Sequence, residues 1–272
     1  MFYIIGELFN RRSLIWELAL KNLKIRYSRP YLGFFWAFLS PFLTALVYYV
    51  IFSKIFKFRI EGLPFFLYLM SAIFPWSFFQ NSLMCSVTSL IDNRNLIKEA
   101  KFPHYLITFS ILLENMIVFL PSLIILILVS LFTLKALPIS IVFLPAILFI
   151  HAIITVGLSF ILSILYVKWR DIKYILEMAL LIIFYFTPAF YSMDVIKNAF
   201  PHLFKIYIFN PFVGILNLYR IALLRGFYSN AKNEVGIFPL VAIIFVFTFA
   251  ILISAFYLYK KNKNNINDYL SY

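Results

Sequence analysis

Apolar residues in this 272-residue chain run in long blocks and do not alternate with polar ones. The longest block, Ala136 to Val167, contains no Asp, Glu, Lys or Arg. Eighteen or more such residues form a helix long enough to cross the roughly 30 Å hydrocarbon core of a bilayer. The pattern predicts six spans: Leu32 to Ser53, a stretch within Leu63 to Ile91, Ile107 to Leu134, a stretch within Ala136 to Val167, Tyr174 to Met193, and Val235 to Tyr259. Lipid offers the backbone no hydrogen-bond partners, and these blocks lack the two-residue alternation of a barrel. Helix is therefore expected for all six.

Two segments outside the spans also have a pattern. Over residues 13–28, Ser13, Glu17, Lys21 and Lys24 recur at helical spacing, and Glu17 and Lys21 form an i,i+4 pair. Leu14, Ile15, Leu18, Leu20 and Leu23 cover much of the rest, so this stretch is expected to lie in the membrane interface as an amphipathic helix. Pro30 disfavours helical geometry at Arg29 and predicts a turn before span 1. The connection from Asp194 to Glu234 holds an uncharged, aromatic stretch, Ile206 to Tyr219, interrupted by Asn210-Pro211. Apolar runs of that length suit short re-entrant helices. Two are expected around the break, with Asn210, Pro211 and the following Arg220 as gate residues. The fold class is thus an all-α integral membrane protein: six transmembrane helices, an N-terminal interface helix, and two short re-entrant helices between spans 5 and 6.

Composition narrows the function. The chain is 64% hydrophobic and 13% charged, with no stretch left over for a soluble domain. It is expected to be one membrane domain over residues 1–272: an interface helix in 1–30, a six-span core in 31–260 and a tail in 261–272. Met1 to Gly6 is too short for the apolar region of a cleavable signal. The net charge of +13 comes from clusters beside the apolar blocks, which positive-inside topology explains better than nucleic-acid binding. Lys and Arg gather before span 1, between spans 2 and 3, between spans 4 and 5, and at Lys260, Lys261 and Lys263. Both termini are therefore expected on the cytoplasmic side of the membrane.

Chemistry is sparse. None of the seven glycines fits a phosphate-binding loop, and there is no HExxH, GxSxG or His/Cys cluster. The lone Cys85 reads as a packed apolar residue. Asn115 to Leu134 can span without Glu114, which places that carboxylate at the inner interface; the alternative is a polar group facing a pathway. His151, mid-span 4, is expected as a neutral imidazole bonded to a backbone carbonyl. Aromatic residues make up 21% of the chain, more than interfacial belts require. Most should pack helices, but a subset facing a pathway could stack on sugar rings: Trp36, Tyr48, Tyr49, Trp76, Phe184, Tyr185, Phe186 and Tyr191.

Several segments, taken in order, resemble a known family. Lys24-Ile25-Arg26-Tyr27, then Leu32-Gly33 with Trp36 and Pro41, is similar to the approach to span 1 in permeases of polysaccharide-exporting ABC transporters. Ile73-Phe74-Pro75-Trp76, with Phe79 and Asn81-Ser82, resembles span 2 of that family. Asn95-Leu96-Ile97-Lys98 followed by Phe102-Pro103 matches its cytoplasmic span 2–3 segment. Arg170-Asp171-Ile172, Thr187-Pro188 with Tyr191, and Asn210-Pro211 continue the match along nearly the whole chain. The resemblance implies a homodimer that pairs with two copies of a separate ATPase subunit. It implies export of a lipid-linked glycan, O-antigen foremost, with teichoic acid and capsular polysaccharide as alternatives. ATP and Mg would then sit on the partner, and this chain would bind no cofactor. ATPase contacts would fall on Glu17, Lys21 and Lys24 and on Asn95, Leu96, Ile97, Lys98, Phe102 and Pro103. The short tail after Lys260 carries no added glycan-binding domain.

Two other classes compete. A membrane-embedded glycosyl- or acyltransferase would need a carboxylate or His cluster at one face, and only Asp171 and Glu177 fall close together. A passive channel would need a filter loop or a charged ring, and the sequence has neither. A transport subunit, not an enzyme, is the expectation.

Overall fold

A computed structural model describes residues 2–28, 31–60, 62–100, 103–228 and 236–262. Among them the only bridge outside helices and turns pairs Ile60 with Leu63. The chain opens with α1, Phe2–Asn10, and α2, Arg12–Tyr27, which covers the expected amphipathic stretch. α3, Phe35–Tyr49, continues as a π-helical turn over Val50–Ile55. Then come α4, Phe65–Asp92; α5, Arg94–Ala100; and α6, His104–Leu134. A 3₁₀ turn over Ile139–Phe143 leads into α7, Leu144–Lys168, followed by α8, Ile172–Tyr185. α9, Met193–Ala199, α10, Pro201–Ile208, and α11, Pro211–Leu223, fill the long connection before α12, Ile237–Asn262. The turn expected at Arg29-Pro30 lies outside the described residues.

Among the described residues four helices are long and apolar enough to cross a membrane: Phe35–Ile55, His104–Leu134, Ile139–Lys168 and Ile237–Asn262. A fifth is added if α10 and α11, bent by 80° about Asn210-Pro211, are one broken span. The expected spans 2 and 5 fall outside this class for different reasons. α4 has 28 residues, ample for a crossing, but carries Ser71, Ser77, Gln80, Asn81, Ser82, Ser86 and Ser89. α8 has 14 residues, about 21 Å at 1.5 Å each, and stops at Tyr185 instead of reaching Met193. Pro188 disfavours helix at Thr187, whose hydroxyl instead donates to the Phe184 carbonyl at 2.6 Å.

α4 lies at the centre, against α3, α6, α7, α8 and α11. Along most of its length its side chains are buried, from Phe65 to Leu90. Elsewhere close packing relies on small residues, as expected where lipid gives no hydrophobic drive for helix association. Gly157 of α7 faces Ile251 of α12, and Gly214 of α11 faces Ile244 of the same helix. The C-terminal carbonyls of α11, which have no partner within the helix, are met by side chains. Ser130 donates to Leu223 O at 2.6 Å, and Ser140 donates to Ile221 O.

α2 does not simply float in the interface. Ile15, Ala19 and Leu23, spaced four apart on one face, are buried. Ile15 joins Leu90, Ile97, Ile107 and Ile111 in a second core cluster that ties α2 to α4, α5 and α6.

A Cβ at Gly157 would sit 2.4 Å from Ile251 Cγ2. Gly157→Val should therefore destabilise the fold by about 1–3 kcal/mol. A lowered apparent melting temperature in detergent is the expected reading; an unchanged one would show that α12 does not seat on α7 there.

Candidate functional site

Three helices present matching stripes to a common cleft of about 710 Å³. α3 contributes Trp36, Ser40, Thr44 and Tyr48, each four residues after the last and hence on one face. α4 contributes Ile73, Trp76, Ser77, Gln80 and Asn81, again one helical stripe. α8 adds Glu177, Leu180, Leu181 and Phe184. Gln80 and Asn81 are exposed although α4 is otherwise the most enclosed helix of the bundle, because they open onto this cleft.

The rings here are organised by contact. Trp76 sits 5.3 Å from Phe184, which in turn lies 6.2 Å from Tyr48 and 5.3 Å from Phe190. The Trp76 indole N–H donates to Gln80 Oε1 at 3.0 Å, which holds the ring edge on its polar stripe. Trp36 remains 43% exposed, so its face is open to whatever occupies the cleft. The cleft thus offers aromatic faces beside hydroxyl and amide groups, the combination that binds rings carrying hydroxyls.

Arg26, at the end of α2, is the cation lining the cleft. Its Nη1 lies 3.3 Å from Glu114 Oε1 and donates to Asn115 Oδ1 at 3.2 Å. Burial alone would lower the Arg26 pKa, but its neighbours, Glu114 among them, more than offset this and hold it above its ordinary value. Glu114 is 4% exposed, so its role is to pin α2 to α6 and not to face open solvent.

The expected pathway aromatics separate into three groups. Trp36, Tyr48, Trp76 and Phe184 meet in the cleft. Tyr185, Phe186 and Tyr191 line a different cavity, of about 570 Å³, with residues of α9 and α10 and with Asn210. Tyr49 turns away and packs edge-on against Phe66 at 5.5 Å. The polar members Ser40, Thr44, Ser77 and Gln80 escaped the sequence reading. For Ser40 and Thr44 the four-residue repeat with Trp36 and Tyr48 was the available signal, hidden because Ser and Thr are common in membrane helices.

The expected gate residues sit at the broken segment. Asn210 caps α11, its side chain accepting from the Phe212 N–H at 3.0 Å and donating to Phe186 O at 3.2 Å; Pro211 is the first residue of that helix. Arg220 is fully buried, its guanidinium 3.5 Å from the Tyr68 ring centroid. Its Nη2 donates to the Ala189 carbonyl at 3.2 Å. The Tyr68 hydroxyl donates to the Tyr191 carbonyl at 2.8 Å, so both side chains hold the loop that follows α8.

Of the expected coupling residues, Glu17, Lys21 and Lys24 are exposed on α2. On α5, Asn95 is exposed, Leu96 half-buried and Ile97 buried. Lys98 lies on α5, but its side chain is outside the described residues, as is Phe102 altogether; Pro103 is the residue preceding α6. His151 differs from expectation. Its Nδ1 lies 3.1 Å from the Tyr219 hydroxyl and not at a backbone carbonyl, because the helix around it already uses its own carbonyls. Among the described residues no three His, Cys, Asp or Glu side chains gather into a metal site.

A helical bundle with several helices long and apolar enough to cross a membrane, and a polar, aromatic cleft among them, defines a membrane domain. Sequence comparison gives the family: the chain belongs to the ABC-2 type transporter family, which it matches over residues 13–224, so that it is a transport subunit. Curated relatives cover similar lengths. An O-antigen export system permease protein RfbA of Myxococcus xanthus is 28% identical over 220 residues, 81% of this chain and 84% of that protein. A protein of the same name from Klebsiella pneumoniae is 31% identical over 228 residues, 83% of this chain and 85% of the relative. A second from that organism is 30% identical over 229 residues.

The Arg26–Glu114 pair invites a double-mutant cycle. Arg26→Gln and Glu114→Gln should each cost about 1–3 kcal/mol, at the lower end of the buried-pair range because Arg26 is partly solvated. Together they should cost less than the sum, by about 0.5–3 kcal/mol. Additive losses in thermal unfolding would show that the two side chains do not interact.

Proposed function

We propose that the chain is the membrane subunit of an ATP-driven exporter that moves O-antigen, a lipid-linked polysaccharide, across the bacterial inner membrane. The observation that carries the reading is the cleft between α3, α4 and α8, where Trp36, Tyr48, Trp76 and Phe184 stand among Ser40, Thr44, Ser77, Gln80 and Asn81. Rings of this kind stack on sugar faces, and the neighbouring hydroxyl and amide groups exchange hydrogen bonds with sugar hydroxyls. The names of the relatives point to the same cargo.

In this reading two copies face each other across α3 and α8. α3 buries only Ala45 of its own side chains, and α8 exposes Tyr174, Ile175, Met178, Leu181 and Ile182, so both helices have large faces left for a second copy. All six sequence blocks then cross the membrane. α4 is shielded by its neighbours, the short α8 is completed by the loop after it, and α10 and α11 form the re-entrant pair. Both termini face the cytoplasm. The hydrolysis of ATP, with its Mg, takes place on two copies of a partner chain. That partner docks on α5 and on the exposed Glu17, Lys21 and Lys24 of α2. Its closure pushes α5, which is seated through Ile97 in the cluster that also holds Ile15 and Leu90, and so moves α2 and the lower half of α4 together. At the other end, Asn210, Pro211 and Arg220 act as the gate.

Two outcomes test this. Replacing both Leu96 and Lys98 with Asp should leave the protein inserted and ATP hydrolysis running while O-antigen display at the cell surface falls at least tenfold; unchanged display would sink the coupling role of α5. Replacing Trp36, whose face is open to the cleft, with Ala should lower export roughly 5–30-fold, the equivalent of about 1–2 kcal/mol, with normal amounts of protein in the membrane. Wild-type export from that variant would remove the cleft from the pathway.

A further inference from the structure

We propose that a second, separate groove between α6, α7 and α12 holds one acyl chain of an anionic phospholipid, with the headgroup at a basic fringe formed by the α1–α2 junction and the end of α12. The groove encloses about 170 Å³ and is lined by Leu8, Phe109, Gly157, Phe160, Leu252 and Phe256, an apolar surface contributed by four different helices. Gly157 lets α12 seat closely on α7 through Ile251, and α6 and α12 each pack on α7, which forms the floor between them.

One end of the groove is closed by Tyr105 of α6 and Tyr259 of α12, edge-to-face at 6.1 Å. Polar groups begin directly behind this pair. The Tyr105 hydroxyl donates to Glu7, and Glu7 pairs with Arg11 at 3.5 Å. Arg12 stands over the Phe9 ring at 4.7 Å, and Lys260 and Lys261 follow Tyr259 in the last turn of α12. Arg11, Arg12, Lys260 and Lys261 thus lie within four residues of Leu8 or Tyr259 along the chain, with Glu7 as the acid paired to Arg11.

The chemistry selects the occupant. Water needs several polar partners in a cavity, and this lining offers almost none. A helix, about 10 Å across, does not fit a volume this small. A single hydrocarbon chain does, and the groove belongs to helices that lie in hydrocarbon. Basic residues at the same membrane face attract anionic headgroups, which completes the match to one lipid molecule. Because Leu8 forms part of the lining, the lipid would also join α1 to the spans.

Native mass spectrometry of the full-length chain in mild detergent tests the proposal, with dioleoyl phosphatidylglycerol titrated against dioleoyl phosphatidylcholine. The wild type should keep one tightly held phosphatidylglycerol per chain, at least threefold in preference to phosphatidylcholine. Leu252→Trp, and the milder Ala255→Leu, should fill the groove and abolish tight binding. Lys260→Gln with Lys261→Gln, both exposed, should keep the fold and the bound lipid but erase the preference for the anionic headgroup. Equal binding of both lipids by the wild type, or undiminished binding in the two filled variants, would overturn it. Displacement of the lipid signal by inorganic phosphate alone would also overturn it, by revealing an anion site without an acyl chain.

Discussion

Enclosure of α4 by five neighbouring helices is the constraint on which the rest depends. A helix facing lipid can hold few polar side chains, since each unsatisfied group in hydrocarbon costs several kcal/mol. α4 carries seven Ser, Gln and Asn residues between Ser71 and Ser89, and none needs to meet lipid. Ser71, Ser82, Ser86 and Ser89 point into the bundle, whereas Gln80 and Asn81 open onto the cleft with Ser77. The same helix thus serves as the core of the fold and as one wall of the site. That dual role explains why a 28-residue helix at the centre of the bundle is more polar than the four helices long and apolar enough to cross a membrane.

The charged residues inside the bundle follow a related rule, being spent on holding elements that would otherwise be loose. Arg220 is fully buried, where an isolated cation would be expensive. The Tyr68 ring face offsets part of that cost and Nη2 donates to the Ala189 carbonyl, so it fastens α11 and α4 to the loop that ends α8. Phe190, in that same loop, stacks parallel on Phe52 at 5.1 Å and touches Tyr48. The far end of the cleft is therefore shaped by a buried cation from a helix that does not line it. At the near end Arg26 and Glu114 do the equivalent for α2. The wall between them, α3 and α8, leaves much of its side-chain surface uncovered.

The membrane class, the interface helix and the Asn210-Pro211 break were legible because each rests on a local rule: block length, helical spacing, or the geometry proline imposes. α2 falls within a residue or two of its expected limits, and α10 and α11 meet at the expected break. Half of the pathway aromatics were placed together by the fold and half were not. Tyr48 and Tyr49 show why. They are adjacent in sequence, yet a helix turns by about 100° per residue, so one faces the cleft and the other packs on Phe66. No composition argument separates two neighbouring tyrosines.

The chain alone determined that helices of bilayer length would form, where proline would interrupt them, and which family they belong to, since these depend on residues near one another in sequence. The tertiary structure decided which faces of those helices are shared. It put Trp36, Trp76 and Phe184, separated by up to about 150 positions, around one cleft. It gave His151 the Tyr219 hydroxyl as partner and gave Glu114 the guanidinium of Arg26. Such pairings depend on the rotation of each helix about its axis, and that rotation is set by small residues at the contacts, such as Gly157 and Gly214 against α12, rather than by the apolar blocks themselves.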